Sequence, residues 1–113
     1  MVNTIGVFLA GGLGCLSRYL IGLWILPIMG LPIATLTVNV CGGFLAGVIA
    51  SKFPQFKSVL LVGFLGGFTT FSSFSLECLS FVQNQQIFTA LAYIFASVVL
   101  SIGAAWLGYV VSG

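Results

Sequence analysis

The chain has 113 residues, of which 60% are hydrophobic and only 4% are charged. A soluble domain carries roughly a quarter of its residues as charged side chains, so this composition excludes a soluble fold and indicates an integral membrane protein. The net charge of +2 is too small to indicate a nucleic-acid partner or strong binding to anionic lipid.

Four apolar blocks are predicted as membrane-spanning helices, since about 20 apolar residues cross a hydrocarbon core of about 30 Å. They are expected at about Asn3 to Leu26, Ile33 to Ser51, Ser58 to Val82 and Ile87 to Val111. The first block is interpreted as retained rather than as a secretory signal, because no basic residue precedes its apolar stretch. The connections are too short to hold a domain. The sequence therefore predicts one all-α transmembrane domain over residues 1–113, with its function placed between the helices.

Basic residues define the orientation of the spans only weakly. Lys52 and Lys57 lie on the same side as both termini, whereas Arg18 lies towards the other end of the first helix. Lysines and arginines in short loops favour the cytoplasmic side. So small an excess leaves three possibilities: cytoplasmic termini, insertion in both orientations, or pairing with a second chain of opposite bias.

The second helix is predicted to carry a narrow face of small and polar residues. Thr35 and Asn39 lie four residues apart, on one side of an α-helix, and the face continues through Gly42, Gly43 and Gly47. An asparagine on such a face can donate to an ion between the helices, or it can hydrogen-bond to a neighbouring helix. The spacing leaves both roles open.

The third block contains the most unusual segment, Gly63 to Ser75 (GFLGGFTTFSSFS). Because its glycines and hydroxyls weaken a membrane helix, we predict an interruption at Gly66 to Thr69, where freed carbonyls can face a cation. Phe71 and Phe74 are predicted to share a face just beyond it. The positive edge of a phenylalanine ring can contact an anion. The alternative for this pair is ordinary core packing.

The fourth helix is predicted to present a polar ladder. Tyr93, Ser97 and Ser101 recur every four residues and therefore lie on one face. Such hydroxyls can line a path, or each can bond back to the carbonyl one turn earlier. The spacing alone does not separate these two roles.

Catalysis is excluded by the side chains that the chain lacks. It has no histidine and a single carboxylate, Glu77, so acid–base pairs, nucleophilic triads and ordinary metal sites lack their parts. Cys15, Cys41 and Cys78 have no paired spacing and are interpreted as packing residues. The abundant polar groups are neutral donors, which suit an anion because they carry no negative charge.

Three segments together resemble a known family, the small fluoride channels of the Fluc or CrcB family. They are GGLGCLSRY (Gly11 to Tyr19), ATLTVNVCGGFLAG (Ala34 to Gly47) and GFLGGFTTFSSF, which begins at Gly63. One departure is Ala34, where the family usually has glycine, and it touches none of the proposed pore groups.

The resemblance implies a fold, a partner and residue roles. For this chain the resemblance implies an antiparallel, dual-topology dimer of two identical subunits, with two pores along the subunit interface. A heterodimer with a related chain is the alternative assembly. The implied fluoride-pore residues are Asn39, Phe71, Phe74, Ser72, Ser73, Tyr93, Ser97 and Ser101. The implied site for a structural sodium ion (Na⁺) is formed by the backbone carbonyls of Gly66 and Thr69 from both chains. Arg18 and Glu77 are implied to have vestibule or structural roles.

The implied function is passive export of cytoplasmic fluoride across the cell membrane, which lowers fluoride toxicity. Fluoride is small and strongly hydrated, so a pore must replace its water with closely spaced donors, yet a full positive charge would trap it. Two other classes remain as alternatives. A proton-coupled multidrug exporter needs a membrane carboxylate, which that family carries in its first helix, whereas Glu77 lies in the third block. A non-transporting assembly subunit would use its small-residue faces only for packing.

Overall fold

The structure is a computed structural model and describes residues 2–25 and 32–113. The described residues include four helical spans long and apolar enough to cross a membrane. These are the first helix (Val2–Trp24), the second helix (Ile33–Lys52), the third span (Ser58–Gln83) and the fourth helix (Ile87–Ser112). The prediction of four apolar spans in an all-helical chain is confirmed. The expected end of the first helix at Leu26 lies outside the described residues.

The third span consists of helical pieces around a short non-helical segment. A π-helix covers Ser58–Leu65, Gly66–Phe68 forms an α-helical turn, and a regular α-helix covers Ser72–Gln83. Residues 69–71 lie outside these ranges, and Thr69 is extended, with φ −84° and ψ 159°. The sequence predicts an interruption at Gly66 to Thr69, whereas in the structure Gly66–Phe68 is still helical.

The position of the non-helical segment has a physical cause outside the third span. In a continuous helix the Thr70 N–H would donate to the Gly66 carbonyl four residues earlier. Here it donates to the side-chain oxygen of Asn39 on the second helix, at 2.8 Å. The Asn39 side chain thus replaces the helical acceptor of the Thr70 N–H. The helix is therefore interrupted near Thr70 and not at the preceding glycines, Gly66 and Gly67.

Glycines bring the spans close together in two pairs. Gly14 of the first helix faces the Phe64 carbonyl, so that an added Cβ would clash with that backbone. Gly47 of the second helix faces the Ala105 carbonyl and lies close to the Tyr109 N–H in the same way. Small residues at such contacts let membrane helices approach within van der Waals distance. The first helix thus packs on the third span, and the second helix packs on the fourth.

Replacing Gly47 by alanine is expected to weaken the pairing of the second and fourth helices. The new methyl group would meet the Ala105 backbone, which cannot yield without separating the helices, and such overpacking costs about 1–3 kcal/mol. Gly103→Ala is the matched control, since a Cβ at Gly103 meets nothing within 4 Å. Thermal melting of both variants in detergent checks this, and equal melting temperatures would contradict the packing described.

Two buried clusters lie on either side of the non-helical segment. One contains Val38, Leu65 and Phe68, and the other contains Phe74, Phe81, Ala90 and Tyr93. Many other large apolar side chains are exposed, as expected for a surface that faces lipid. The clusters fix both helical parts of the third span, and with them the residues between.

Candidate functional site

A cavity of about 540 Å³ lies beside the non-helical segment, between the second helix, the third span and the fourth helix. We call it the Asn39 cavity. It is lined by these residues from the predicted set: Asn39, Gly66, Thr69, Phe71, Phe74, Ser97 and Ser101. None of the described side chains that line it is charged. The site therefore offers neutral donors and aromatic rings.

Asn39 connects the second helix to the main chain of Thr70. Its Nδ2 donates to the Thr70 carbonyl at 3.0 Å, and its Oδ1 accepts from the Thr70 N–H at 2.8 Å. An amide nitrogen has two N–H groups, so this pair leaves one of them for a further acceptor. Asn39 thus joins two helices, as one reading of the sequence holds, and it retains a donor at the cavity.

Phe71 and Phe74 lie together but differ strongly in burial. Their ring centroids are 5.6 Å apart at an angle of 46°. Phe71 is 77% exposed, whereas Phe74 is 8% exposed and packs against Tyr93 with centroids 5.2 Å apart. Phe74 is therefore both a core residue and a cavity residue, while Phe71 makes far less contact within its own chain.

Ser97 has a hydroxyl that is buried without a partner. The residue is 6% exposed, and its Oγ makes no hydrogen bond to any described residue. Serines elsewhere do bond back one turn, such as Ser75 to Phe71 and Ser112 to Gly108. A buried hydroxyl without a partner is unfavourable by about 1–3 kcal/mol. Ser97 is among the residues that line the Asn39 cavity, although its oxygen is itself covered by protein atoms.

Ser72 and Ser73 do not line the Asn39 cavity. The Ser72 hydroxyl lies 3.3 Å from the Thr70 hydroxyl, and the Ser73 N–H donates to Thr70 Oγ1 at 3.2 Å. Ser73 lines a second cavity of about 300 Å³, which we call the Arg18 cavity. Thr70, which the sequence-based set of site residues omits, lies next to both serines. Thr70 is part of the run TTFSS (residues 69–73), but residue spacing alone does not show which hydroxyl of that run faces a cavity.

The Tyr93 hydroxyl is directed at Glu77. It donates to Glu77 Oε1 at 2.8 Å, and Thr35 Oγ1 donates to Glu77 Oε2 at 2.7 Å. The carboxylate thus joins the third span to the second and fourth helices. Neither Glu77 nor Tyr93 lines the Asn39 cavity, and the sequence gives no sign of this Thr35–Glu77–Tyr93 contact beyond the presence of one carboxylate.

Arg18 anchors the first helix to the third span. Its Nε donates to the Gly67 carbonyl at 3.3 Å, and its Nη2 lies 3.3 Å from Cys15 Sγ. Arg18 also lines the Arg18 cavity, together with Tyr19 and Thr35. A guanidinium with five donors can hold a carbonyl and still attract an anion.

Two backbone carbonyls at the Asn39 cavity lack hydrogen bonds. Among the described residues, no N–H donates to the carbonyl of Gly66 or to that of Thr69. Both residues line the cavity, and carbonyl oxygens are ligands for hard cations. The described residues contain no cluster of three histidine, cysteine or carboxylate side chains. These two backbone oxygens are therefore candidate ligands for a hard cation at this position.

Comparisons with known proteins agree on one family. The profile of the family described as "CrcB-like protein, Camphor Resistance (CrcB)" matches residues 5–109. A relative from Geobacter metallireducens is 40% identical over 117 residues, which cover 96% of this chain and 94% of the relative. One from Saccharophagus degradans is 43% identical, covering 92% and 84%, and one from Rhizobium meliloti is 44% identical, covering 87% and 86%. All three are named "Fluoride-specific ion channel FluC".

Proposed function

Because this chain belongs to the CrcB-like family, we propose that it is a fluoride-specific ion channel, not an enzyme. The chain is a multi-pass protein of the plasma membrane. The observation that carries the proposal is a cavity lined, among the described residues, by uncharged groups only, with a buried Ser97 hydroxyl to which no described residue bonds. Such a wall replaces the water of a small anion and still lets it leave.

We assign the contacts with fluoride to groups that line the Asn39 cavity. The free N–H of Asn39 and the hydroxyls of Ser97 and Ser101 donate, and the rings of Phe71 and Phe74 offer their positive edges. Ser72, Ser73 and Tyr93 do not line this cavity, and we propose that they contact fluoride elsewhere along the pore. Arg18 supplies positive potential at the adjoining cavity, and Glu77 acts structurally.

Transport is proposed to be passive and outward. An anion gains about 2.3 kcal/mol on leaving a cell held at about 100 mV, inside negative. At about 1.4 kcal/mol per tenfold ratio, this voltage can hold the cytoplasmic fluoride concentration roughly fiftyfold below the external one. No coupled fuel is required, and the cytoplasmic fluoride concentration falls, which reduces toxicity.

The proposed assembly is an antiparallel dimer of two identical chains. Phe71 and Gly66 are exposed in the single chain, next to non-helical backbone. Irregular backbone at membrane depth has to be covered by protein or water, and a second copy supplies that cover and completes the pore. The weak bias of Lys52, Lys57 and Arg18 is compatible with insertion in both orientations. A heterodimer with a related chain is the alternative.

We propose that a structural Na⁺ binds at the dimer interface. The unpaired carbonyls of Gly66 and Thr69 fit a hard monovalent cation, and two antiparallel copies bring four such oxygens together. The ion would neutralise the carbonyl dipoles at the non-helical segment of both chains. It does not take part in conduction.

Efflux from liposomes tests the function. Purified protein is reconstituted in vesicles loaded with potassium fluoride or potassium chloride, and valinomycin supplies the potassium path. We expect rapid fluoride release, little chloride release and no requirement for a proton gradient. Flux that needs a proton gradient would favour the exporter class, and vesicles that retain fluoride would favour the assembly subunit. The named relatives favour neither alternative.

A further inference from the structure

The two cavities meet at a residue to which no role has been assigned. Thr70 lines the Asn39 cavity, next to Phe71, and it also lines the Arg18 cavity, next to Ser73. Among the described residues, no other one lines both. Thr70 therefore forms the boundary between the two spaces.

The Thr70 hydroxyl has a proton to donate at this boundary. Its Oγ1 accepts from the Ser73 N–H at 3.2 Å, so the oxygen is fixed by the start of the following helix. Ser72 Oγ lies 3.3 Å away, which is long compared with the usual O–H···O distance of about 2.7–2.8 Å. An anion is a stronger acceptor than that hydroxyl, since hydrogen bonds to charged groups are shorter and stronger.

The main chain of Thr70 is held in place by Asn39. Both backbone polar groups of Thr70 are bonded to the Asn39 amide, at 2.8 and 3.0 Å. With the Ser73 contact, three hydrogen bonds fix the residue. Its hydroxyl is thus preorganised, and an anion can bind there without reordering the segment.

The two cavities differ in the charge of the residues that line them. The Arg18 cavity contains a guanidinium, whereas the Asn39 cavity is lined by uncharged residues. A fixed cation attracts an anion and also slows its departure. A neutral donor between the two spaces gives the anion an intermediate partner when it leaves the guanidinium.

We propose that Thr70 Oγ1 donates a hydrogen bond to the permeating anion as it passes between the Arg18 cavity and the Asn39 cavity. Thr70 is then a pore residue whose hydroxyl, rather than its size, sustains conduction. The inference rests on the proposed fluoride-channel function.

Side-chain replacement at Thr70 tests this role. Thr70→Val keeps the shape and removes the hydroxyl, which is both the proposed donor and the acceptor of the Ser73 N–H, and it is expected to lower fluoride efflux from liposomes by about tenfold or more. Thr70→Ser keeps the donor and most of the flux. Ser75→Ala is the matched control, because that hydroxyl bonds back to the Phe71 carbonyl and lines neither cavity. All variants should elute from a sizing column like the wild-type protein.

The outcomes separate this inference from the function on which it rests. Wild-type vesicles that retain fluoride contradict the channel function itself. Wild-type flux in Thr70→Val, or an equal loss in Thr70→Ser with normal elution, overturns the role of the hydroxyl.

A second measurement applies if Thr70→Val does not assemble. Thr70→Cys is made in a background with Cys15, Cys41 and Cys78 replaced by alanine. Labelling by a small anionic methanethiosulfonate is expected, and fluoride should slow that labelling relative to gluconate. A cysteine that does not react, or that reacts equally fast in both salts, overturns the proposal.

Discussion

Replacing Asn39 by aspartate is expected to stop fluoride conduction. An aspartate carboxylate accepts from the Thr70 N–H but cannot donate to the Thr70 carbonyl, so one of the two bonds that hold the segment is lost. It also places a negative charge beside the anion, which at about 4 Å and an effective dielectric constant of about 20 costs about 4 kcal/mol. That penalty corresponds to a reduction in flux of roughly a thousandfold.

The measurement is efflux from valinomycin-treated liposomes, with Asn84→Asp as the control. Asn84 is exposed between the third span and the fourth helix, and its side chain makes only a long 3.5 Å contact with Ser80. The same chemical change there should leave fluoride efflux unchanged. Normal conduction by Asn39→Asp would remove Asn39 from the fluoride path.

Phe71→Ile and Phe74→Ile are both expected to lower fluoride flux by about tenfold, because isoleucine has no positive ring edge. Their stabilities should differ. Phe71 is 77% exposed and pairs, among the described aromatic rings, with Phe74 alone, so its replacement should cost less stability than that of Phe74, which is 8% exposed and pairs with both Phe71 and Tyr93. Losing an aromatic pair costs about 0.5–1.5 kcal/mol beyond the buried area. Flux and melting temperature are measured on the same preparations, and the dimer should still assemble.

Phe81→Ile separates conduction from packing. Phe81 is also 8% exposed and contacts Tyr93 edge-on at 5.9 Å, but it lines neither cavity. Its replacement should destabilise the chain as Phe74→Ile does, with fluoride flux retained. Unchanged flux in both Phe71→Ile and Phe74→Ile would return these two rings to a packing role.

Local patterns in the sequence predict much of this architecture. Runs of apolar residues define the spans because a bilayer accepts little else, and the three-residue spacing of Phe71 and Phe74 predicts that their rings lie together. The four-residue spacing of Ser97 and Ser101 likewise predicts a shared face, and both residues line the Asn39 cavity.

Contacts between helices are what the sequence could not predict. The non-helical segment begins at Thr69, because Asn39, 31 residues before Thr70, takes the Thr70 N–H. Tyr93 is on the same ladder as Ser97, yet its hydroxyl is directed at Glu77, 16 residues away. In both cases the donor bonds to an acceptor on another helical element. Residue spacing within one helix does not reveal which acceptors of other elements lie near it.

The most direct test of the central claim is the reversal potential of the current through the reconstituted protein in a planar bilayer. With a tenfold fluoride gradient and equal chloride on both sides, a fluoride-selective passive path is expected to reverse near 60 mV, at about 1.4 kcal/mol per tenfold ratio and about 2.3 kcal/mol per 100 mV. Replacing chloride by gluconate should leave that value unchanged. A reversal potential that follows chloride, or no current at any voltage, would contradict the account.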